Sequence, residues 1–179
     1  MPPPTRPKRG RPPNVVLDSS VLVAAFLRRT GANHRLLRLA GQRYRLFLTE
    51  RILQEVERTL LESRKIRRKY RYREEEVEAF LRVLRGVSEH VFADEELRIR
   101  PVVERDPADD WVLAGARKAR ARYLVSKDRD LLALHEVGRI RILPTDEALR
   151  LLQGPEAPSE EGLDASQQGS AGGPGVGGP

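Results

Sequence analysis

The stretch NVVLDSSVLVAAF, residues 14–26, begins the first part of the chain that could be buried, and its pattern predicts a strand followed by a helix. The strand is a short apolar run, largely β-branched, which is typical of a fully buried strand: Val15, Val16, Leu17. The helix is predicted by apolar residues at helical spacing: Val21, Leu22, Ala25, Phe26. Asp18 stands at the junction, where a carboxylate can either cap the helix or take part in chemistry.

The foldable part of the chain is shorter than its 179 residues, because proline and glycine are concentrated at both ends. We expect residues 1–13 to form a disordered basic tail rich in proline, and residues 153–179 a disordered acidic tail rich in glycine and proline. Residues 14–152 then form one domain of ordinary size. The chain has no cysteine, no membrane-spanning apolar run and no signal-peptide pattern, so we expect a cytoplasmic protein without membrane contact.

The net charge of +7 belongs to this domain, because four cations in the first tail balance four acids in the last. Its densest part is RKIRRKYRYR, residues 64–73, in which seven cations surround two tyrosines. Cations bind phosphates and aromatic rings stack on bases, so this segment predicts nucleic-acid binding. Its candidate contact residues are Arg67, Arg68, Lys69, Tyr70, Arg71 and Tyr72. The alternative is a solvated helix face that pairs with the acids of REEEVE, residues 73–78.

The rest of the domain alternates short apolar strands with amphipathic helices. After residue 43 we predict a strand at 44–49, helices at 50–63 and 73–87, an ill-defined extended piece near 90–93, and a helix at 106–121. A strand at 123–126, a helix, a strand at 139–143 and a final helix at 145–152 complete the pattern. Connections of this length between strands imply parallel pairing in an α/β sheet.

This architecture brings acids from four segments to the carboxyl edge of the sheet, where ligands bind in open parallel sheets. Asp18 follows the first strand, Asp128 follows the YLVS strand, and Glu55 lies six residues beyond Thr49. Three further acids open the helix that precedes the YLVS strand: Asp106, Asp109 and Asp110. We therefore expect a cluster of carboxylates in one crevice.

Clustered carboxylates repel one another unless a cation is present. Mg²⁺ and Mn²⁺ prefer oxygen ligands, are often held by a few carboxylates together with substrate phosphate, and can activate water. The predicted chemistry is metal-assisted hydrolysis of a phosphodiester. Each acid also has a structural alternative, since Asp18, Asp109 and Asp128 lie where aspartate caps helices, and Glu55 can pair with Arg51 or Arg58.

Four motifs in this order resemble the PIN domain family over nearly all of residues 14–152. VVLDSSVLVAAF resembles the opening strand with its acid, although Ser19 and Ser20 stand where the family usually has threonine and asparagine. TERILQEVERTL matches a serine or threonine with glutamate six residues later, and LVSKDRDLL matches the last strand, a serine and an aspartate. DPADDWVLAGA matches an aspartate followed by an apolar helix; its alignment favours Asp109 over Asp110, and the choice stays open.

The resemblance implies a three-layer α/β/α sandwich with a central parallel sheet and an Mg²⁺- or Mn²⁺-dependent ribonuclease site. The residues carried over as catalytic and metal-binding are Asp18, Glu55, Asp109 and Asp128, with Asp106, Asp110 and Asp130 as further candidate ligands and Ser20 and Ser126 in support. The chain is most similar to VapC-like toxins of type II toxin–antitoxin systems, which implies RNA as substrate, an antitoxin partner and a homodimer. A different hypothesis is a catalytically silent module that binds RNA or regulates, in which the acids only cap helices.

Overall fold

The computed structural model describes residues 11–101 and 107–153, so the predicted disorder of both tails concerns residues that lie almost entirely outside these ranges. Gln153, assigned to the acidic tail by its composition, is instead the last residue of a helix. The elements in chain order are β1 (Asn14–Leu17), α1 (Ser19–Leu27), α2 (Ala32–Arg38), β2 (Arg45–Thr49), α3 (Glu50–Glu62), α4 (Arg64–Lys69), α5 (Glu74–Val87), β3 (Ser88–Phe92), α6 (Pro107–Lys118), β4 (Tyr123–Val125), α7 (Arg129–Ala133), β5 (Glu136–Val137), β6 (Ile140–Leu143) and α8 (Thr145–Gln153).

The strands of the described ranges form one sheet in the order β3-β2-β1-β4-β6-β5. All neighbouring pairs are parallel except β5 with β6, which confirms the predicted α/β class. Two edge strands were not predicted as regular strands from the sequence. β3 is a full strand although its sequence SEHVF is half polar, and β5 is a two-residue strand that periodicity cannot detect. Pairing with a neighbour, and not an apolar pattern, defines such edge strands.

The opening stretch lies at the centre of the sheet. β1 pairs with β2 on one side and with β4 on the other, and Val15, Val16 and Leu17 are buried. The ladder continues one residue past β1, because the backbone N–H of Asp18 donates to the carbonyl of Val125 at 2.9 Å. Strand order reverses at β1, and such a switch point opens a crevice at the carboxyl ends of the strands.

Helices cover the sheet to give the expected α/β/α layers. α6 packs across β1, β2 and β4, whereas α1, α2, α3, α5 and α8 pack against one another. One face of α3 is buried and apolar: Ile52, Leu53, Val56, Leu60. Among the described residues, no helix has the length and apolar character needed to cross a membrane.

An ion pair joins the start of α3 to the end of α5. Both terminal nitrogens of Arg85 donate to the carboxylate of Glu50, at 2.6 and 2.8 Å. These hydrogen bonds hold the pKa of Glu50 below its ordinary value, against a smaller opposing effect of burial. The contact anchors α3 at the end that borders the crevice described next.

Candidate active site

A cleft of about 810 Å³ opens at the carboxyl edge of the sheet. Its lining includes one predicted acid from each of four segments: Asp18, Glu55, Asp109 and Asp128. Asp18 directly follows β1, Glu55 lies in α3, Asp109 in α6, and Asp128 three residues after β4. The tertiary structure therefore brings together residues that are up to 110 positions apart in the chain.

Asp18 is buried and accepts hydrogen bonds on both carboxylate oxygens. The backbone N–H of Ser19 donates to Oδ1 at 2.8 Å, which caps α1. The hydroxyls of Ser20 and Ser126 donate to Oδ2 at 2.7 and 2.8 Å. Three donors therefore fix the orientation of the carboxylate.

The same two serines link the ends of β1 and β4. Each donates to Asp18 and also accepts a backbone N–H from the segment after β4. Lys127 donates to Ser20 Oγ at 3.2 Å, and Asp128 donates to Ser126 Oγ at 2.9 Å. Both residues predicted to support the site thus make direct hydrogen bonds to an acid of the cleft.

Asp128 caps α7, because its Oδ1 accepts the backbone N–H groups of Asp130 at 2.8 Å and Leu131 at 3.2 Å. Its Oδ2 has no hydrogen-bond partner within the described ranges. Asp130 is half-buried and does not line the cleft. Asp128 therefore caps α7 through one carboxylate oxygen and also lines the cleft.

Glu55 lies about a turn and a half into α3, on the side that faces the cleft. Its carboxylate pairs with Arg58 and accepts a hydrogen bond from the Thr59 hydroxyl at 3.3 Å. The Glu55 side chain is 42% exposed. An ion pair at that exposure contributes only about 0–1 kcal/mol, so Glu55 can turn from Arg58 into the cleft at small cost.

Asp109 and Asp110 both lie in the first turn of α6 and are buried, but only Asp109 lines the cleft. Asp106, the third acid predicted here, lies outside the described residues. The geometry thus places Asp109 at the position that the motif alignment favoured.

Gly115 determines how closely α6 approaches β2. A Cβ at this position would lie 2.5 Å from Cγ2 of Thr49, which is closer than packed carbon atoms come. Thr49 in turn caps α3 by accepting the N–H of Ile52 at 3.1 Å. This contact therefore sets the spacing between Asp109 on α6 and Glu55 on α3.

Three cations also line the cleft, and the sequence patterns did not single them out as site residues: Arg51, Arg58 and Lys127. Arg51 lies 3.6 Å from the ring centre of Trp111 and pairs with Asp94 at 2.8 Å. The guanidinium therefore covers one face of the Trp111 ring. The sequence could have indicated two of these cations, because Arg51 and Lys127 lie inside the acid motifs, within two residues of Thr49 and Ser126.

The donor set fits a hard divalent cation, because the predicted ligands are carboxylates. Within the described ranges, however, no three His, Cys, Asp or Glu side chains are grouped as a metal site. Mg²⁺ often keeps several waters and takes only one or two protein carboxylates, so a closed cage is not required. Asp18 and Asp128, linked through Ser126, could hold the ion, and Asp109 and Glu55 could complete its shell.

The basic segment follows the end of α3, whereas the cleft is lined by the earlier part of that helix, up to Arg58. Arg68, Lys69 and Arg71 are exposed there. Arg67 donates to the carbonyl of Leu61 at 3.0 Å and pairs with Glu74, so it stabilises the corner between α3 and α4. A hydrogen bond with Arg28 is the largest influence on the exposed Tyr70 hydroxyl and lowers its pKa.

Tyr72 is used in packing. Its ring meets Phe26 edge to face at 5.1 Å between centroids, and its hydroxyl donates to the carbonyl of Leu60 at 2.7 Å. Burial raises the pKa of this hydroxyl. In this arrangement the ring of Tyr72 packs against the protein, so Tyr70 is the tyrosine better placed to meet a base.

Comparisons with known proteins agree with this architecture. The fold is similar to PAE2754 from Pyrobaculum aerophilum, with 20% identity and a TM-score of 0.52 over 78% of this chain and 95% of that one. A looser similarity is found to VapBC2 from Rickettsia felis, solved bound to a DNA fragment from their promoter, with 13% identity and a TM-score of 0.49 over 73% of this chain and 98% of that one. No curated protein matches this sequence.

The family model described as PIN domain matches residues 14–130, which is more than half of the chain. The matched range contains β1, the Thr49–Glu55 motif, α6 and Asp128, and thus all four acids of the cleft. Members of this family are generally nucleases. The chain therefore belongs to the PIN domain family.

Proposed function

We propose that the protein is a metal-dependent endoribonuclease that hydrolyses RNA phosphodiester bonds. The observation that carries this proposal is the cleft at the carboxyl edge, into which four separate segments each bring a carboxylate. PIN domains are generally nucleases and typically use divalent metals, which supports the reaction class.

Asp18, Glu55, Asp109 and Asp128 would hold Mg²⁺ or Mn²⁺. When bound, such an ion supplies a Lewis acid that acidifies water and neutralises charge on the scissile phosphate. Ser20 and Ser126 keep Asp18 oriented through the hydrogen bonds described above. Lys127 and Arg51 at the cleft wall would bind the non-bridging phosphate oxygens and orient the RNA strand.

The basic segment would hold the strand away from the scissile bond. Arg68, Lys69 and Arg71 would contact backbone phosphates, and Tyr70 would stack on a base. Arg67 and Tyr72 would contribute by holding α4 in place.

We further propose that the protein is a cytoplasmic toxin of a type II toxin–antitoxin system and that it forms a homodimer. This part rests on the resemblance of its four motifs to VapC-like toxins. A free ribonuclease would damage the RNA of its own cell, so a protein partner that blocks the cleft is expected.

A second candidate function is a catalytically silent RNA-binding module. It is favoured by the structural use of every acid for which contacts are described, since Asp18 and Asp128 cap helices and Glu55 pairs with Arg58. In that case the acids would only stabilise the fold.

Cleavage of end-labelled RNA with Mg²⁺ or Mn²⁺, with EDTA as a control, distinguishes the two candidates. We expect cleavage that EDTA abolishes and that Asp18→Asn reduces more than about 100-fold, beyond what changes around metal ligands usually cost. Asparagine keeps the capping oxygen, but its amide nitrogen cannot accept the hydroxyls of Ser20 and Ser126, so the free energy of unfolding is measured in parallel. Asp146→Asn, which alters an exposed acid in α8, is the matched control. No cleavage by the native protein with either metal would favour the silent module, whereas full activity of Asp18→Asn would remove Asp18 from the site.

A further inference from the structure

A second cleft, of about 650 Å³, opens at the opposite edge of the sheet, beside the amino ends of β4 and β6. It lies between the end of α6 and the turn that joins β5 to β6. Four of its eight lining residues are arginines and none is acidic; the lining is Arg100, Arg117, Arg120, Ala121, Val137, Gly138, Arg139 and Ile140. We call this the arginine cleft. Positive charge is therefore concentrated here without a carboxylate in the lining.

Arg117, in the last turn of α6, has an unsatisfied donor. Its Nη1 atom is buried and makes no hydrogen bond to the described part of the chain. A cation near the end of a helix interacts favourably with the helix dipole, but that interaction does not satisfy a buried N–H group. An acceptor bound in the cleft beside Arg117 would satisfy this donor.

The four arginines also have no acid to balance them among the described residues. None of the ion pairs found in residues 11–101 and 107–153 involves Arg100, Arg117, Arg120 or Arg139. Guanidinium groups gathered around one cleft repel one another, so an anion that binds between them relieves this repulsion.

Arg120 occupies a backbone position that favours glycine. Its φ is +48°, and the hydrogen bonds around it, from Ala121 N–H to the carbonyl of Ala116 at 2.9 Å and from Arg120 N–H to that of Arg117 at 3.0 Å, form a Schellman motif. Arg120 is the residue in the left-handed conformation, where glycine is usual. An arginine here costs stability, which points to a use for its side chain in the cleft.

We propose that the arginine cleft binds a phosphate group, carried by the backbone of a nucleic acid or by a free phosphorylated small molecule. The planar guanidinium donates two parallel hydrogen bonds to phosphate oxygens, and several of them can share one phosphate. The cleft lies at the opposite edge of the sheet from the acids, so this site does not depend on the proposed nuclease reaction.

The experiment measures binding by the full-length chain in EDTA, so that no cleavage can intervene. Backbone amide shifts are followed by NMR while sodium phosphate is added at constant ionic strength. Affinity for a fluorescein-labelled 12-nucleotide RNA is measured in parallel. We expect saturable shifts in residues 117–121 and 138–140, and at least about a fivefold loss of phosphate affinity in Arg117→Gln/Arg139→Gln.

Arg120→Gly separates a role in phosphate binding from a role in stability. Glycine suits this backbone position, so the variant should melt at the same or a higher temperature while its phosphate affinity falls. Arg82→Gln, an exposed arginine in α5, is the control for removal of one positive charge. A parallel decrease in RNA affinity assigns the phosphate to a nucleic acid, and a decrease confined to inorganic phosphate assigns it to a free ligand.

Three results would overturn the proposal. The first is the absence of saturable shifts at these amides with both sodium phosphate and RNA, and the second is binding by Arg120→Gly equal to that of the native chain. The third is tighter binding of a hexaglutamate peptide than of phosphate at the same amides, which would assign the cleft to an acidic protein segment.

Discussion

At the residue scale, Asp18 shows how one carboxylate serves both the fold and the proposed chemistry. It caps α1 through Oδ1, while its Oδ2 accepts the hydroxyls of Ser20 in the first turn of α1 and of Ser126 directly after β4. A capping residue at a strand end is held rigidly, because the strand, the helix and the hydrogen bonds all constrain it. Such rigidity is what a preorganised metal ligand requires.

The contact of Gly115 with Thr49 leads to a prediction at the same scale. In Gly115→Ala the new methyl group must displace Thr49 or move α6, because only 2.5 Å is available. Overpacking typically costs about 1–3 kcal/mol. A small shift of Asp109 would also reduce cleavage, since a misplacement of about 1 Å can lower rates about 100-fold. We expect a lower free energy of unfolding in urea and slower cleavage.

Gly86→Ala is the matched control for this substitution. Gly86 lies in α5, where an added Cβ meets no atom within 4 Å. Alanine in a helix should stabilise the protein by about 0.5–1 kcal/mol relative to glycine. If Gly115→Ala were as stable as Gly86→Ala and fully active, the close approach of α6 to β2 would not determine the geometry of the site.

At the scale of elements, α3 separates the proposed chemistry from the proposed binding of the RNA strand. Thr49 caps its first turn at the cleft, and Ser63 at its other end caps α4 by accepting the N–H of Ile66 at 3.4 Å. The cleft thus borders the first half of α3, and the exposed cations follow its other end. Changes at one end should leave the other intact, because distant sites without shared partners act independently.

Replacing Arg68, Lys69 and Arg71 together with glutamine tests this separation. If these cations bind single-stranded RNA, the slope of log K against log salt should fall by about 0.7 for each phosphate that the variant no longer binds. We expect weaker RNA binding, measured by anisotropy across a salt series, with metal binding unchanged. Arg67 is left intact because it stabilises the corner between α3 and α4.

The matched control replaces three exposed arginines elsewhere, Arg43, Arg82 and Arg150, which removes the same charge. If its salt slope falls as much as that of the α4 variant, the effect reflects net charge alone. An unchanged slope in a folded α4 variant would return the segment to a solvated helix face.

At the scale of the whole molecule, the parallel sheet separates two clefts of different character. The carboxyl ends of its strands border the cleft lined by Asp18, Glu55, Asp109 and Asp128, and the amino ends of β4 and β6 border the arginine cleft. This polarity is a consequence of parallel pairing, since every parallel strand presents the same end to the same edge. The charge of +7 is therefore not spread evenly.

Metal binding should be visible as stabilisation of the whole fold. A ligand that binds only the folded state at about ten times its Kd adds about 1.4 kcal/mol, which raises the Tm of a domain of this size by about 2–5 °C. We expect Mg²⁺ or Mn²⁺ to raise the Tm and EDTA to reverse the effect. Asp128→Asn should lose this response while it keeps its cap and its Tm in EDTA.

Potassium chloride at matched ionic strength controls for general screening of charge. An equal rise with potassium, or an undiminished rise in Asp128→Asn, would place the metal elsewhere in the molecule.

The sequence by itself determined the central strand, the alternation of strands and helices, and the position of Asp18 and Asp128 just beyond buried strands. Periodicity and capping are local, so residues within a few positions of one another suffice to predict them. Given parallel pairing, the shared edge of the acids follows directly. The basic composition of residues 64–73 is equally plain in the chain.

Only the tertiary structure decided the features that depend on contacts between distant segments. The strands β3 and β5 exist because a neighbour pairs with them. Tyr72 packs on Phe26, Arg51 covers Trp111, and the arginine cleft combines α6 with the β5–β6 turn. The close approach at Gly115 likewise involves a residue 66 positions away. No local pattern records such contacts, because packing in three dimensions joins side chains without regard to their separation along the chain.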